Sequence, residues 1–407
     1  MEQTVWFYYQ IRQFNINSFA YSKRKVEKYI PLMKKLLMLA NVDWFFISHR
    51  LCIAQEAVKQ GWDVMVAAED TGRASEIETE GIRFINIPFS RSGINPIDEL
   101  KTVMRFYKLY KCFKPDVVHH ITLKPLIYGS FVAKILKIKG VLNAVSGLGY
   151  NFTEGRSGTV SKIMLTVMRF GFTRKNVSII FQNQDDFKEL KELNVINPNN
   201  NIFFIKGSGV NLEIFKPRVG LKEGKVKILL PTRMLWDKGV KEAREASDIL
   251  KKEYNDKIVF VLSGLADEEN KAGVPSNYLN EWQDGSYVKW IGYQKNMVSV
   301  YADADIVLLP SYREGMPKSL IEACAMGKPI ITTNAIGCRE CVDEGVNGYK
   351  VAVKSSGKLA EAVIKLVENG PMREEMGKQS RLKAIKEFDQ KQVIAKHLEL
   401  YNQLLNG

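Results

Sequence analysis

Two carboxylates, Glu314 and Glu322, stand eight positions apart in the stretch SYREGMPKSLIEACAMG, residues 311–327. A carboxylate accepts hydrogen bonds from hydroxyls, and sugars and ribose are made of hydroxyls. Between the two lie Gly315, Met316, Pro317, Lys318 and Ser319. The apolar run ADIVLLP, ended by a proline, precedes the stretch, and residues 320–326 read as a helix stopped by Gly327-Lys328-Pro329. The pattern is strand, glycine-containing turn, helix. Ligands of open parallel sheets gather at the carboxyl ends of strands, and a helix start there offers backbone N–H groups to an anion. Singly, either Glu could serve only to complement a helix dipole. The pair, the turn and the strand together point to a ligand site.

A second constellation is RMLWDKG, in which Arg233 and Lys238 flank a loop after an expected strand at 226–231. A diphosphate leaving group gains negative charge as its bond to a sugar breaks, and two fixed cations there would stabilise that charge. The plain alternative is a loop with exposed bases. His119 and His120 end another expected strand, and they are two of only four histidines in the chain. Strand neighbours point to opposite faces, so one of them is expected to reach a cleft and the other to pack. The loop SGLGYNF, with Gly147, Gly149 and Tyr150, would let the backbone pass close to an acceptor. His49 and Arg50, at an expected helix start, would face the same cleft.

These residues need elements to hold them. Strands are expected at 35–40, 63–68, 82–87, 116–121, 141–145, 177–181 and 202–205. Helices alternate with them at 49–60, 96–113, 125–138, 161–172 and 184–190, and VDWFF at 42–46 reads as an aromatic loop. Residues 211–225, rich in glycine, proline and charge, read as a linker. A second strand–helix series runs through 226–388, and a last helix at 390–405 carries Ile394, Leu398, Tyr401 and Leu405 on one stripe. Such alternation means parallel sheets covered on both faces. The expected fold is α/β of GT-B type: two Rossmann-like domains, 33–210 and 226–388, face each other across a cleft. The C-terminal helix, 389–407, is expected to return to the first domain. Residues 1–32, aromatic and basic without a clear period, are expected to be an extension, either a mobile arm or the product of an unused upstream start before Met33. No G-x-G-x-x-G follows a first strand in either half, so a dinucleotide cofactor is not indicated.

The chain has 407 residues, 59 Lys and Arg against 45 Asp and Glu, and a net charge of +14. Residues 101–175 hold 14 of those bases and only Asp116 and Glu154 as acids, a local +12. Nucleic acid, an anionic membrane face or a phosphorylated substrate would each be drawn to such a region. No recognition signature for nucleic acid accompanies it, and no apolar run of spanning length or secretory pattern occurs. Five cysteines in no zinc spacing read as inert thiols of a reducing cytoplasm.

With these motifs in place, the chain resembles the retaining nucleotide-sugar glycosyltransferases of the "glycosyl transferases group 1" family. The likeness rests on Glu314 and Glu322, on RMLWDKG and on CAMGKPIITTNAIGCRECVDEGVNGY at 324–349, and it covers most of residues 33–390. WFFISHRL, HHITLKP (which adds Lys124) and NAVSGLGY resemble a branch that acts on lipid-diphosphate-linked intermediates of bacterial surface glycans.

The resemblance implies that Arg233 and Lys238 hold the donor diphosphate, Glu322 the ribose hydroxyls, and Glu314 the donor sugar. Backbone N–H groups of Gly315 and Met316 would meet sugar or phosphate. It also implies a UDP-sugar donor, an N-acetylated hexosamine as the sugar moved, a lipid-linked acceptor, no metal, no cofactor and front-face displacement with retention. The protein would then sit in the cytoplasm, docked peripherally on an anionic membrane through residues 101–175, without nucleic acid as a partner. Many relatives carry His-x-His where this chain has His119-His120-Ile121. A non-transferring relative, such as a UDP-sugar 2-epimerase, and a basic binding protein are the rival readings.

Overall fold

A computed structural model describes residues 33–88, 96–148, 159–174, 176–217 and 224–406. The expectations for residues 1–32, Gly149, Tyr150 and Lys175 lie outside these residues. The first sheet contains β1 (Lys35–Val42), β2 (Asp63–Glu69), β3 (Arg83–Asn86), β4 (Val117–His120), β5 (Gly140–Val145), β6 (Val177–Phe181) and β7 (Asn201–Phe204). All neighbours pair in parallel, in the order β3-β2-β1-β4-β5-β6-β7. The second contains β8 (Val226–Pro231), β9 (Ile258–Ser263), β10 (Val288–Trp290), β11 (Ile306–Leu309), β12 (Ile330–Thr333) and β13 (Gly348–Val351), again all parallel, ordered β10-β9-β8-β11-β12-β13.

In both sheets the strand order reverses beside the first strand, between β1 and β4 and between β8 and β11. That switch point opens a crevice at the carboxyl ends of the strands, where doubly wound sheets bind ligands. The central strands are buried on both faces; β4, β5, β6, β11 and β12 are buried at every residue. Their apolar runs are continuous because helices cover each side, and each sheet accordingly has a hydrophobic cluster on either face.

The last helix, Gln390–Asn406, packs against β4, β5, β6 and the helix Leu51–Lys59 of the first domain. Its buried residues are Val393, His397, Leu398, Leu400, Tyr401 and Leu404, so the apolar stripe is spent within the chain.

Three local expectations need correction. VDWFF is not a loop: Asp43–His49 is helical, with Phe46 fully buried. The Asp43 carboxylate accepts from the backbone N–H groups of Trp44, Thr71 and Arg73 at 2.6, 2.7 and 3.0 Å, which fixes that helix start to the loop after β2. The expected helix at 49–60 breaks at Arg50, whose backbone (φ −135°, ψ −12°) is not helical. The expected helix at 125–138 begins as a π-turn, Pro125–Gly129, before Ser130–Ile135 continues as an α-helix. Of the thiols, Cys324, Cys338 and Cys341 are buried, but Cys112 is exposed.

Candidate functional site

The turn after β11 lies where the two domains touch. Ser311, Arg313, Glu314 and Gly315 occupy it, and the helix Lys318–Ala325 starts at Pro317 with no side chain capping its first turn. The second loop, after β8, forms a short 3-10 turn at Trp236–Lys238 before Gly239 opens the helix Val240–Tyr254. The loops are stitched together: Tyr312 N–H donates to the Asp237 carbonyl at 2.9 Å, and the Ser311 Oγ lies 3.1 Å from it.

This stitching brings Lys238 and Glu314 together. The Lys238 Nζ donates to Glu314 Oε1 at 2.6 Å, and the Ser311 hydroxyl donates to the same oxygen at 2.9 Å. The two side chains are 13% and 18% exposed, so the pair is poorly screened by water. Burial works against the Lys238 charge, but the Glu314 carboxylate beside it prevails and raises its pKa. Arg233 sits at the rim, half exposed and 3.6 Å from Asp267.

Glu322 lies one turn into the helix from Lys318, 3.7 Å from its Nζ. Burial pushes the Glu322 carboxyl above its usual range, against the pull of the Lys318 charge. Lys318 also donates to the Ser48 carbonyl of the first domain. The Ser319 carbonyl accepts from Tyr301 at 2.9 Å, and Met316 is buried against Cys341, Sδ to Sγ 3.5 Å.

Across the boundary, Gly147 (φ +110°) faces Gly315 so closely that a Cβ on Gly147 would stand 3.0 Å from the Gly315 Cα and N. A Cβ on Gly315 would stand 2.1 Å from the Ser146 carbonyl oxygen. Glycine at both places allows two backbones from different domains to meet. Beside this contact, a cavity of about 150 Å³ opens between Phe45, Thr122, Leu126, Ser146, Gly147 and Met168 of the first domain. His49 is near it: its ring stacks on Phe45, centroids 4.1 Å apart, and its Nδ1 lies 2.6 Å from the Ser48 hydroxyl. Burial, and then the Lys318 and Arg50 charges, hold its pKa well below the usual value, so the ring is neutral.

Three expected site residues, His119, His120 and Arg50, lie elsewhere. His119 and His120 do alternate, but neither reaches the cleft, because both rings are completely buried. His119 Nδ1 is 2.7 Å from the Tyr401 hydroxyl under the last helix. His120 lies on the opposite face, Nε2 2.7 Å from the Tyr110 hydroxyl and Nδ1 2.6 Å from Asn143 Oδ1. Burial depresses its pKa to about 4. Arg50 is only 2% exposed, and its guanidinium donates to the His49 carbonyl at 3.0 Å. Lys124 is tied to Glu99 at 2.6 Å.

A group that the motifs did not signal completes the boundary. Asn183, Asp185 and Asp186 stand at the start of the helix Gln184–Glu192, with Glu189 further along it, and Asn183 caps the helix by accepting from Asp186 N–H at 2.8 Å. Arg313 reaches Asp186 and Glu189 from the second domain at 2.5 and 2.8 Å. Asn183 Nδ2 donates to the Gly315 carbonyl at 3.0 Å, and Arg339 pairs with Asp185. From sequence, the strand VSIIF followed by NQDD signals only a capped helix.

The basic region is divided. Lys101, Arg105, Lys108, Lys111, Lys137, Lys139 and Lys162 are exposed. Lys134, Arg169 and Arg174 are instead held by the carbonyls of Phe170, Leu193 and Ala133. Among the described residues, no helix is long and apolar enough to cross a membrane, and no group of three or more His, Cys, Asp or Glu could hold a metal ion.

Residues 211–383 match the family described as Glycosyl transferases group 1, and residues 35–183 match Glycosyl transferase 4-like. The chain is 28% identical over 359 residues to the N,N'-diacetylbacillosaminyl-diphospho-undecaprenol alpha-1,3-N-acetylgalactosaminyltransferase of Campylobacter jejuni, over 85% of this chain and 92% of that protein. It is 24% identical over 351 residues to the UDP-Gal:alpha-D-GlcNAc-diphosphoundecaprenol alpha-1,3-galactosyltransferase of Escherichia coli, over 84% and 89% of the two chains. In fold it is similar to Anabaena Alr3699/HepE, solved in complex with UDP and glucose, with a TM-score of 0.72 at 16% identity over 91% of this chain and all of that one.

Proposed function

We propose, from the premise that this chain belongs to the glycosyl transferases group 1 family and has the GT-B fold, that it moves a sugar from a UDP-sugar to a lipid-diphosphate-linked acceptor in bacterial glycan synthesis. The acceptor class is supported by two relatives whose names carry a diphospho-undecaprenol-linked sugar. An N-acetylated hexosamine is the sugar we favour, after the first of them. The observation that carries the reading is the Lys238–Glu314 pair, set on the turn that leads into the helix Lys318–Ala325 and whose Gly315 meets Gly147 across the boundary.

On this reading Arg233 and Lys238 meet the donor diphosphate, and the helix start at Pro317 turns its N–H groups to the same anion. Charge grows on the leaving oxygen as the sugar bond breaks, so fixed cations there act more strongly on the transition state than on the bound donor. Glu314 leaves part of its bond to Lys238 for the donor sugar, and Glu322 accepts from ribose hydroxyls. Attack from the face the leaving group departs keeps the anomeric configuration, and the leaving phosphate oxygen takes the acceptor proton. The diphosphate charge is met by these side chains, so the reaction runs without a metal or a cofactor.

UDP release tests this directly, with a panel of UDP-sugars and a bacterial membrane lipid extract as acceptor source. One donor should give UDP release that depends on the extract. Conversion of a UDP-sugar without acceptor and without net UDP would favour an epimerase. Absence of binding of any nucleotide sugar would remove the reading altogether.

A lipid-linked acceptor supports a working position at the cytoplasmic face of a membrane. The exposed bases Lys101, Arg105, Lys108 and Lys111 share the helix Pro96–Phe113 with exposed Ile97, Leu100 and Met104. Each well-placed cation near an anionic surface contributes about 1 kcal/mol, an attraction that salt screens. Vesicles containing anionic lipid should bind the chain at low salt and release most of it at high salt. Changing Lys101, Arg105 and Lys108 to Glu should abolish the low-salt binding; binding that ignores both salt and these substitutions would rule out electrostatic docking.

A further inference from the structure

The turn that carries Glu314 is held from the other domain by its neighbours on both sides. Arg313 sends its guanidinium to Asp186 and Glu189, and the Gly315 carbonyl accepts from Asn183. The Glu314 side chain turns the other way, to Lys238 and Ser311 of its own domain. The two residues that flank Glu314 thus bridge the domains. The contacts are not loose surface pairs: the Arg313 side chain is 10% exposed, Asp186 0% and Glu189 9%. Asp186 is also fixed from behind by Asn183, which both caps the helix and donates to its Oδ2 at 2.9 Å. Such pairs gain geometric definition from every hydrogen bond that holds them, and removing one partner strands a buried charge.

We propose that Arg313 is a positioning residue, and that its latch onto Asp186 and Glu189 closes the two domains and sets the Glu314–Gly315 turn at the reacting centre. The inference rests on the function proposed above only for its kinetic consequence. The latch spares the donor-holding side chains, since Arg233, Lys238 and Glu322 all belong to the second domain and make none of these contacts. Opening the latch should therefore cost turnover and leave donor binding nearly intact. Arg339 with Asp185 lies alongside, more exposed at 34% and 30%, and acts as a weaker second tie.

The test uses the full chain. Arg313→Ala should lower kcat for UDP release about 10- to 100-fold, the scale of a misplaced reacting group. UDP affinity by calorimetry should stay within about 3-fold, a split expected when only transition-state geometry is lost. X-ray scattering of the unliganded variant should show a more open pair of domains. Arg313→Lys, which keeps the charge, should recover much of both losses; a merely structural residue would move stability without this split. If Arg313→Ala does not fold, Glu189→Gln loosens one arm of the latch and should give the same pattern at smaller size. A kcat within about 2-fold of wild type together with unchanged scattering overturns the proposal. If the wild-type chain turns over no UDP-sugar, the proposed function fails, and scattering alone still decides the latch. Opening in Arg313→Ala then supports it, and an unchanged profile overturns it.

Discussion

Lys238→Ala lowers kcat/KM for UDP release by about 10²- to 10³-fold, the range observed when one fixed donor to a developing anion is removed. Lys238 is the better buried of the two candidate cations, 13% against 51% exposed for Arg233. Its charge therefore acts through less water and counts for more. It is also already in place: the 2.6 Å bond to Glu314 and the stitched loops fix its amine before any ligand arrives. The loss should fall mainly on kcat, with a smaller change in UDP affinity, because the leaving oxygen carries its full charge only as the bond breaks. The substitution also leaves Glu314 with Ser311 as its remaining side-chain hydrogen bond in the site. Hence the thermal midpoint should fall by a few degrees, a cost seen whenever one partner of a buried pair is deleted. Steady-state kinetics with a UDP-coupled readout, beside calorimetry, separates the two effects. Equal kcat in variant and wild type would take Lys238 out of the chemistry.

Gly315→Ala reduces turnover by about 10²-fold, as expected for a displacement on the order of 1 Å at the reacting centre, while its own domain keeps its fold. The added Cβ would lie 2.1 Å from the Ser146 carbonyl oxygen, 2.5 Å from the carbonyl carbon and 2.8 Å from Gln182 Oε1. The first two are backbone atoms of the other domain and cannot rotate aside. Either the turn retreats or the domains part, and both move Glu314. UDP binding, which the proposed function assigns to the second domain, should survive. Wild-type turnover in this variant would show that the Gly315–Ser146 approach is not part of the working arrangement.

The architecture was legible because its signals are local. Buried parallel strands such as VSIIF and ADIVLLP are continuous apolar runs, and the turn residues between elements mark where each stops. The spacing of Glu314 and Glu322 around a helix start, and of Lys238 behind β8, was local too, and the fold brings Lys238 and Glu314 into contact. What stayed hidden depends on partners far along the chain. Arg313 meets Asp186 across 127 positions, and nothing near either residue announces the other. Strand alternation puts His119 and His120 on opposite faces, but it does not say what covers a face. Here one is covered by a helix from the other end of the chain and one by Tyr110 and Asn143. VDWFF reads as a loop because its helix is fixed by Asp43 bonding to Thr71 and Arg73, again a distant contact.

The return of the helix Gln390–Asn406 to the first domain has a consequence for biosynthesis. The sheet of that domain is complete at Phe204, yet Arg50 and His119 gain Tyr401 as a neighbour only when the last helix arrives. At about 5–20 residues per second, the ribosome needs roughly 10–40 s more to supply that cover. During this interval the nascent first domain presents a face holding a buried cation's future site and the apolar ground beneath Leu398, Leu400 and Leu404. It is the second domain, folding as an independent unit in between, that can finish first. The domain begun earliest is thus sealed last, and a chain released short of residue 390 would leave the ribosome with that face open to chaperones and proteases.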